Sequence, residues 1–183
     1  TATGGTITCS GDYRIHTFTG PGALCVSCAG NAAGSNTVEY LIVAGGGGGG
    51  KGCSHGSGAG AGGYRVSPAV PISVTSFPIV VGAGGAGAPA TPRFPGGDGN
   101  TSSFNSIAST GGGGGVGWST CAGRPGGSGS GAACSPNFNN FGAGNTPPVS
   151  PPQGNPGGSV TNAGNAMGGG GGAGEAGNTD GDR

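Results

Sequence analysis

Apolar and polar residues alternate most clearly near the start of the chain. In the run YRIHTF, Tyr13 and Ile15 alternate with Arg14 and His16, which is the period of a half-exposed β-strand. The runs TITC before it and VEYLIVA after it are rich in β-branched and aromatic residues, and the turn signals SGD and GPG separate the three runs. We therefore expect residues 1–44 to form a small β-rich cap.

A second strand-like stretch covers residues 64–82, with the sequence YRVSPAVPISVTSFPIVVG. It predicts another pair of short strands. Proline cannot donate a hydrogen bond to a β-ladder. Pro68, Pro71 and Pro78 should therefore confine these strands to sheet edges or strand ends.

Glycine dominates the rest of the chain, with 51 of the 183 residues against a usual share of about 7%. Helix is nearly excluded, because each interior glycine costs about 1 kcal/mol relative to alanine. A collagen triplet is excluded as well, because glycine keeps no sustained register across residues 52–63 or 154–174. The remaining regular structure is polyglycine II, an extended left-handed helix that can pair its backbone groups only with neighbouring segments.

The expected fold is therefore mostly irregular and β, with essentially no α-helix. The cap at residues 1–44 would precede a bundle of packed left-handed polyglycine II helices at residues 45–183, and the two parts could form one continuous domain. The glycines expected inside this bundle belong to three unbroken runs: Gly45, Gly46, Gly47, Gly48, Gly49 and Gly50; Gly111, Gly112, Gly113, Gly114 and Gly115; Gly168, Gly169, Gly170, Gly171 and Gly172.

Two glycine motifs superficially match nucleotide-binding loops. The first runs from Gly45 to Lys51, but Gly52 stands where a serine or threonine must bind Mg²⁺. The following CSHGSGAGAGG cannot form the helix whose N-terminal amides hold the phosphates. The second, GAGGAG at residues 82–87, is followed by three prolines that exclude the required helix. Neither motif indicates a nucleotide site, and no cofactor is expected.

Charge and titratable residues narrow the functional classes further. The net charge is zero and charged residues make up 7% of the chain, so there is no electrostatic footprint for nucleic acid. No apolar run approaches the roughly 20 residues of a membrane-spanning helix, so no membrane insertion is expected. No catalytic arrangement of nucleophile, base and carboxylate is suggested by the spacing, and we do not expect an enzyme.

The cysteines form an even set in a chain with few core-forming residues. Such chains gain most from disulfides, which persist in oxidising compartments, so we expect an exported protein whose pairing the sequence leaves open. A zinc site is the alternative for the Cys25-Val-Ser-Cys28 spacing, with Cys53 and His55 as further ligands, but no second such pair is present and no metal is predicted. The candidates for disulfides are Cys9, Cys25, Cys28, Cys53, Cys121 and Cys134.

Two segments between the glycine runs carry aromatic residues among Asn, Ser and Pro, and we expect variable loops at residues 116–124 and 134–156. Rigid aromatics among small polar residues are typical of recognition loops on a rigid scaffold. The alternative is that these aromatics plug the ends of the glycine core. The candidates for receptor binding are Trp118, Arg124, Asn137, Phe138, Asn139, Asn140 and Phe141.

The order of motifs along the chain carries a family resemblance. The segments are GGTITCSGDYRIHTFTG, VEYLIVAGGGGGG, AGGYRVS, IVVGAGGAG, GDGNTSSFNSIASTGGGGG and the closing GGGGGAGEAG. Over nearly the whole chain this order resembles the glycine-rich domain of phage tail-fibre and adhesin-type structural proteins. The resemblance implies a virion or cell-surface component in which bundled polyglycine II helices present variable loops to a host receptor.

We therefore expect a non-enzymatic structural protein at the virion surface or in the extracellular medium. Its partners would be other structural subunits, either copies of itself or fibre proteins, and a cell-surface glycan or outer-membrane protein. The main alternative is a self-assembling subunit of an extracellular bacterial or archaeal filament or sheath. A weaker alternative is an ice-binding protein, which would need a regular array of Thr or Ala that the sequence does not show.

Overall fold

The computed structural model describes residues 1–31, 35–52, 56–90, 94–117, 122–133, 140–160 and 167–179. The regular elements of these residues are short β-strands, and every strand pair is antiparallel. The strands are β1 (Ala2–Thr3), β2 (Thr6–Ser10), β3 (Tyr13–Thr17), β4 (Gly22–Val26), β5 (Thr37–Val43), β6 (Tyr64–Pro71), β7 (Ser76–Val80), β8 (Ser102–Phe104) and β9 (Ile107–Ser109).

These strands form three sheets. One sheet has the order β1-β4-β7-β8-β9, β2 pairs with β3, and β5 pairs with β6. The strand predicted from VEYLIVA is present, and it ends at Val43, just before the first glycine run. The strands expected within residues 64–82 are present too, but β6 pairs with β5 and β7 lies between β4 and β8. Four strands were not predicted: β1, β4, and the short strands β8 and β9, which are joined at Asn105 with a positive φ of 52°.

Pro78 shows how proline is accommodated inside a sheet. It lies in β7 opposite Ala23, although β7 has partner strands on both sides. The ladder between β7 and β8 begins only at the pair Ile79 and Phe104, and the Pro78 carbonyl oxygen accepts a bond of 2.8 Å from the Asn105 amide. Pro78 therefore lies at the end of a ladder, where its missing N–H leaves no pairing position empty.

A small side-chain core joins the five-stranded sheet to the β5–β6 ribbon. The Phe104 ring lies 5.6 Å from the Phe77 ring and 6.2 Å from the Tyr40 ring, centroid to centroid. Tilted aromatic pairs at these separations add to the stabilisation from burial. The buried members of this core are Leu24, Val26, Ile42, Phe77 and Phe104.

The prediction of a bundle of polyglycine II helices is wrong. The regular structure is all-β, in several antiparallel sheets, and the described residues contain no helix. Short runs rich in β-branched and aromatic residues recur as far as Ser109, and such residues favour strands. Strand pairing therefore extends over more of the chain than its glycine content suggests. The glycine-rich segments lie outside the sheets. The expectation of essentially no α-helix is confirmed for these residues.

Backbone hydrogen bonds connect the glycine-rich segments to one another. Gly45 and Gly48 donate bonds of 3.0 and 2.9 Å to the carbonyl oxygens of Asn100 and Gly97. The carbonyl oxygens of the same two glycines accept bonds from the run at residues 111–115. Each segment thus pairs its backbone groups with several neighbours, as buried backbone requires. We call the assembly of these segments, residues 44–63, 82–100 and 110–179 where described, the glycine-rich body.

The neighbouring backbones approach so closely that most of the body has no room for a side chain. A Cβ atom added at Gly113 would overlap the carbonyl oxygen of Arg124, and one added at Gly48 would overlap that of Ala86. Gly49 is an exception, because a Cβ there would meet no atom within 4 Å. Glycine is therefore required at most positions of the runs because of the space between segments.

Candidate receptor-binding surface

The hydrogen bonds give the glycine-rich body two distinct ends. One end adjoins the sheets, because the Ala44 amide donates to Gly63 and the Gly63 amide donates to Thr110. At the opposite end, the Lys51 amide donates to the Phe94 carbonyl oxygen at 3.0 Å, and Lys51 Nζ donates to the Ala90 carbonyl oxygen at 2.8 Å. We call these the sheet end and the far end.

Arg124, one of the predicted receptor-binding residues, ties three segments of the body together. Its guanidinium forms an ion pair with Asp98 through Nη2, and Nη1 donates to the Gly96 carbonyl oxygen at 3.1 Å. The other Asp98 oxygen accepts a bond of 2.8 Å from the Gly114 amide. The Arg124 side chain is still 40% exposed, so it can contact a ligand from a fixed position.

The backbone around Arg124 brings two of the predicted loop regions side by side. The Gly123 amide donates to the Asn140 carbonyl oxygen at 2.6 Å. Ser130 accepts a bond of 2.7 Å from the Arg124 amide through Oγ, and its carbonyl oxygen accepts one of 2.8 Å from the next segment, at Gly142. Arg124, Asn140 and the exposed Phe141 therefore lie on adjoining segments, which we call the Arg124–Phe141 surface.

The remaining candidates divide between those the structure describes and those it does not. Trp118, Asn137, Phe138 and Asn139 lie outside the described residues. The same holds for three of the cysteines, Cys53, Cys121 and Cys134, and for His55. Among the described residues, the other three cysteines are exposed free thiols, so no disulfide joins Cys9, Cys25 and Cys28 to one another.

The stretch predicted as one variable loop at residues 134–156 has described parts in different places. Residues 140–142 lie beside Arg124, whereas Asn145 donates through its amide to Gly127, near the sheet end. The Asn145 side-chain oxygen then accepts bonds from the amides of Val149, at 3.1 Å, and Gln153, at 3.2 Å. Residues 145–153 therefore form a turn that is anchored at the sheet end and separate from the Arg124–Phe141 surface.

Gln153 is a structural residue that sequence reasoning missed. Its side chain is 1% exposed, Oε1 accepts a bond of 2.8 Å from the Thr110 amide, and Nε2 donates to the Pro147 carbonyl oxygen at 3.0 Å. Its own carbonyl oxygen accepts a bond of 2.7 Å from the Tyr64 amide. Gln153 thus joins β6 and the residue after β9 to the body. A single glutamine in a proline-rich run gave no signal of this role.

A second exposed surface lies on the outward face of the β5–β6 ribbon. Leu41 stands opposite Val66, and Val43 stands opposite Tyr64. All four side chains are exposed, Leu41 by 60%. This apolar face belongs to the sheets and is separate in sequence from the Arg124–Phe141 surface.

Two findings concern other kinds of site. Within the described ranges, no group of three or more His, Cys, Asp or Glu side chains is placed to hold a metal ion. The same residues contain no helix that is long and apolar enough to cross a membrane.

The fold and the surface define a class: an all-β protein whose sheets continue into a glycine-rich body packed backbone against backbone. The chain belongs to the glycine-rich domain family, whose model matches residues 26–183. The match covers β5 to β9 and the whole glycine-rich body. Neither the curated proteins nor the solved structures gave a match to the chain. The family assignment rests on the glycine-rich domain and carries no receptor or virion role with it.

Proposed function

We propose that this chain is a non-enzymatic structural protein of the tail-fibre or adhesin type, exposed to the extracellular medium, and that the Arg124–Phe141 surface binds a receptor on a cell surface. One observation carries the proposal. Backbone hydrogen bonds hold described parts of the two predicted loop regions side by side, and an ion pair with Asp98 fixes Arg124 to the closely packed body. A scaffold of this kind presents a ligand-binding surface that is already ordered.

The chemistry of the surface suits a cell-surface glycan or an outer-membrane protein. Phe141 offers an exposed aromatic face, and the Arg124 guanidinium is held in place by Asp98 and Gly96. Because the Arg124 guanidinium is fixed before binding, little of its conformational entropy is lost when a ligand docks. Aromatic and Arg side chains also dominate binding energy where they are fixed at an interface.

The test is direct binding of the purified, fluorescently labelled chain to a panel of intact bacterial cells, measured by flow cytometry. We expect saturable binding to at least one cell type and a large loss of binding for Phe141→Ala. Leu41→Ala is the matched control, because it removes an exposed apolar side chain from the β5–β6 ribbon.

The receptor class follows from pretreating the cells. Loss of binding after periodate oxidation indicates a glycan, and loss after protease treatment indicates an outer-membrane protein. The proposal fails if no cell type is bound, or if Phe141→Ala binds as well as the unaltered chain.

The second candidate function is a self-assembling subunit of an extracellular filament or sheath. The exposed apolar face of the β5–β6 ribbon favours it, because contiguous apolar patches often mark protein–protein contacts. Negative-stain imaging of the purified chain separates the two candidates. Filaments formed by the isolated chain support the subunit, whereas discrete particles that bind cells support the adhesin.

A further inference from the structure

The β2–β3 hairpin is the least covered element of the described structure. All five residues of β2 are exposed, and in β3 only His16 is half-buried. Among the described residues, the two strands pair only with each other. A two-stranded hairpin on its own is marginally stable in water, whereas three or more strands with an apolar face can be stable. The exposed hairpin would therefore gain stability from further strand pairing.

The outer edge of β2 lacks the features that protect other strand edges. Proteins block edge pairing with prolines, charges and irregular register. The β5–β6 ribbon has Pro68 and Pro71 in β6 and a register shift between Val38 and Tyr40. By contrast, β2 reads TITCS, with no proline and no charge, and its pairing with β3 is regular throughout. Its outward backbone groups bond to no other part of the described chain and are open to another strand.

We propose that the outer edge of β2 pairs antiparallel with β2 of a second copy of this chain. Pairing all five residues of the strand with themselves requires a two-fold axis at the central residue, Thr8. Thr8 then faces Thr8 of the second copy, and Ile7 faces Cys9. The result is a four-stranded sheet, β3-β2-β2-β3, that spans both copies.

The residues of β2 favour a second copy as the partner. Like charges placed directly opposite each other destabilise a strand pair, and self-pairing of β2 brings no charges together. Self-pairing of β3 would be centred on Ile15 and would bring the charged Arg14 of both copies into the paired strands. A contact that uses the same patch on both subunits has two-fold symmetry and leaves no copy of that patch free for a third subunit. It produces dimers, so this pairing by itself does not build a filament.

Disulfide trapping tests the register. Thr8→Cys in a chain that also carries Cys9→Ser places two thiols opposite each other, at a separation that a disulfide can bridge. On exposure to air, the two thiols give up two hydrogen atoms to molecular oxygen, forming one disulfide and hydrogen peroxide. We expect rapid formation of a covalent dimer, with the bond mapped by mass spectrometry to position 8 of both chains.

The matched control is Thr17→Cys with Cys9→Ser, because Thr17 is exposed on β3 and its side chain lies on the same face of the hairpin as that of Thr8. Edge pairing through β2 predicts slow or absent trapping at position 17. Equal trapping at positions 8 and 17 would mean that the hairpins pack face to face, and it would overturn the proposal.

Sedimentation of the full chain gives an independent test without cysteine chemistry. The unaltered chain should show a monomer–dimer equilibrium, which Thr8→Asp and Thr8→Lys each weaken several-fold because like charges then oppose each other. An equimolar mixture of the two variants should restore dimers, and Thr17→Asp should leave them unchanged. A chain that sediments as a monomer up to its solubility limit refutes the pairing.

Discussion

The five-stranded sheet and the glycine-rich body fill their interiors with different parts of the chain. In the sheet, side chains fill the space: Phe77 and Phe104 pack against each other and against Leu24. In the body, the backbone fills it, and a Cβ atom added at Gly113 would overlap a neighbouring carbonyl oxygen. Removing atoms should therefore damage the first region, whereas adding them should damage the second.

This difference also explains how each region satisfies its polar groups. Strands pair their backbone groups with one or two neighbours in a sheet, and their side chains remain free to form a core. Segments of the body pair with several neighbours in different directions, as Gly45 and Gly48 do. Backbones can approach from several sides only where side chains are absent, so the density of hydrogen bonds and the glycine content depend on each other.

The largest effect is expected for Gly113→Ala, and Gly113→Val should be more severe still. The added carbon would overlap the Arg124 carbonyl oxygen and lie 3.1 Å from that of Pro125. Because the backbone of residues 124–125 would have to move, we expect a loss of about 3 kcal/mol or more in the free energy of unfolding, measured by urea denaturation. Gly49→Ala is the control, and it should change stability by less than about 1 kcal/mol. Unchanged melting of the Gly113 variants would contradict the packing.

Phe104→Ala should have the next largest effect, through the opposite mechanism. The ring is 7% exposed and contacts both Phe77 and Tyr40. Removing a buried phenylalanine costs about 3–5 kcal/mol when the cavity does not close; the small size of this core places the expected loss at the lower end. Thermal unfolding followed by near-ultraviolet circular dichroism measures it. Phe94→Ala is the control, because the Phe94 side chain is 50% exposed. Equal losses of unfolding free energy in both variants would mean that packing in this core does not determine the stability of the chain.

Gln153→Leu tests the junction between the two regions. The substitution leaves the half-buried Thr110 amide without its acceptor, which costs at most about 1–3 kcal/mol. Hydrogen exchange should be faster at the Thr110 amide in this variant. Asn100→Ala, at an exposed side chain, should leave exchange and stability unchanged. Normal protection of Thr110 in the Gln153 variant would show that the junction does not depend on this side chain.

The smallest effect is expected for Asp98→Asn. It removes the charge that faces Arg124, and both side chains are 40% or more exposed. Ion pairs with this exposure contribute up to about 1 kcal/mol. The loss should shrink in high salt, because screening already weakens the pair in the unaltered chain. Glu39→Gln is the matched control, and a loss that is equal for both variants or independent of salt would argue against a role for the ion pair.

The sequence predicted five strands, β2, β3, β5, β6 and β7, but it missed four others and did not specify which strands pair. Alternation of side chains identified β3, and the run VEYLIVA identified β5, because period and residue type are local properties. Residues 64–82 were expected to form two short strands, and the structure places these strands, β6 and β7, in different sheets. Partner choice depends on which apolar faces meet in the core, and no local pattern records it. The strands β1, β8 and β9 have only two or three residues, which is too short to show a period. The strand β4 was missed although it carries the core residues Leu24 and Val26.

The candidate surface was predictable in part. Aromatic and polar residues between the glycine runs identified Arg124, Asn140 and Phe141 as loop residues, and the structure places them on adjoining segments. Their role in binding remains a prediction. The ion pair of Arg124 with Asp98 joins residues 26 positions apart, and the bonds of Gln153 to Thr110 join residues 43 positions apart. Neither pair has a signal in the local sequence.

The sequence by itself determined that this protein has strands at its β-branched runs, no α-helix in the described residues, and a large region where side chains are too small to form a core. Tertiary structure decided how that region is built. We expected a bundle of polyglycine II helices because glycine runs can adopt that conformation. Glycine can adopt many other backbone conformations as well, so its presence constrains the structure only weakly. Long-range contacts selected the arrangement in which antiparallel sheets, packed through Phe104 and joined by Gln153, fix the ends of the glycine-rich segments.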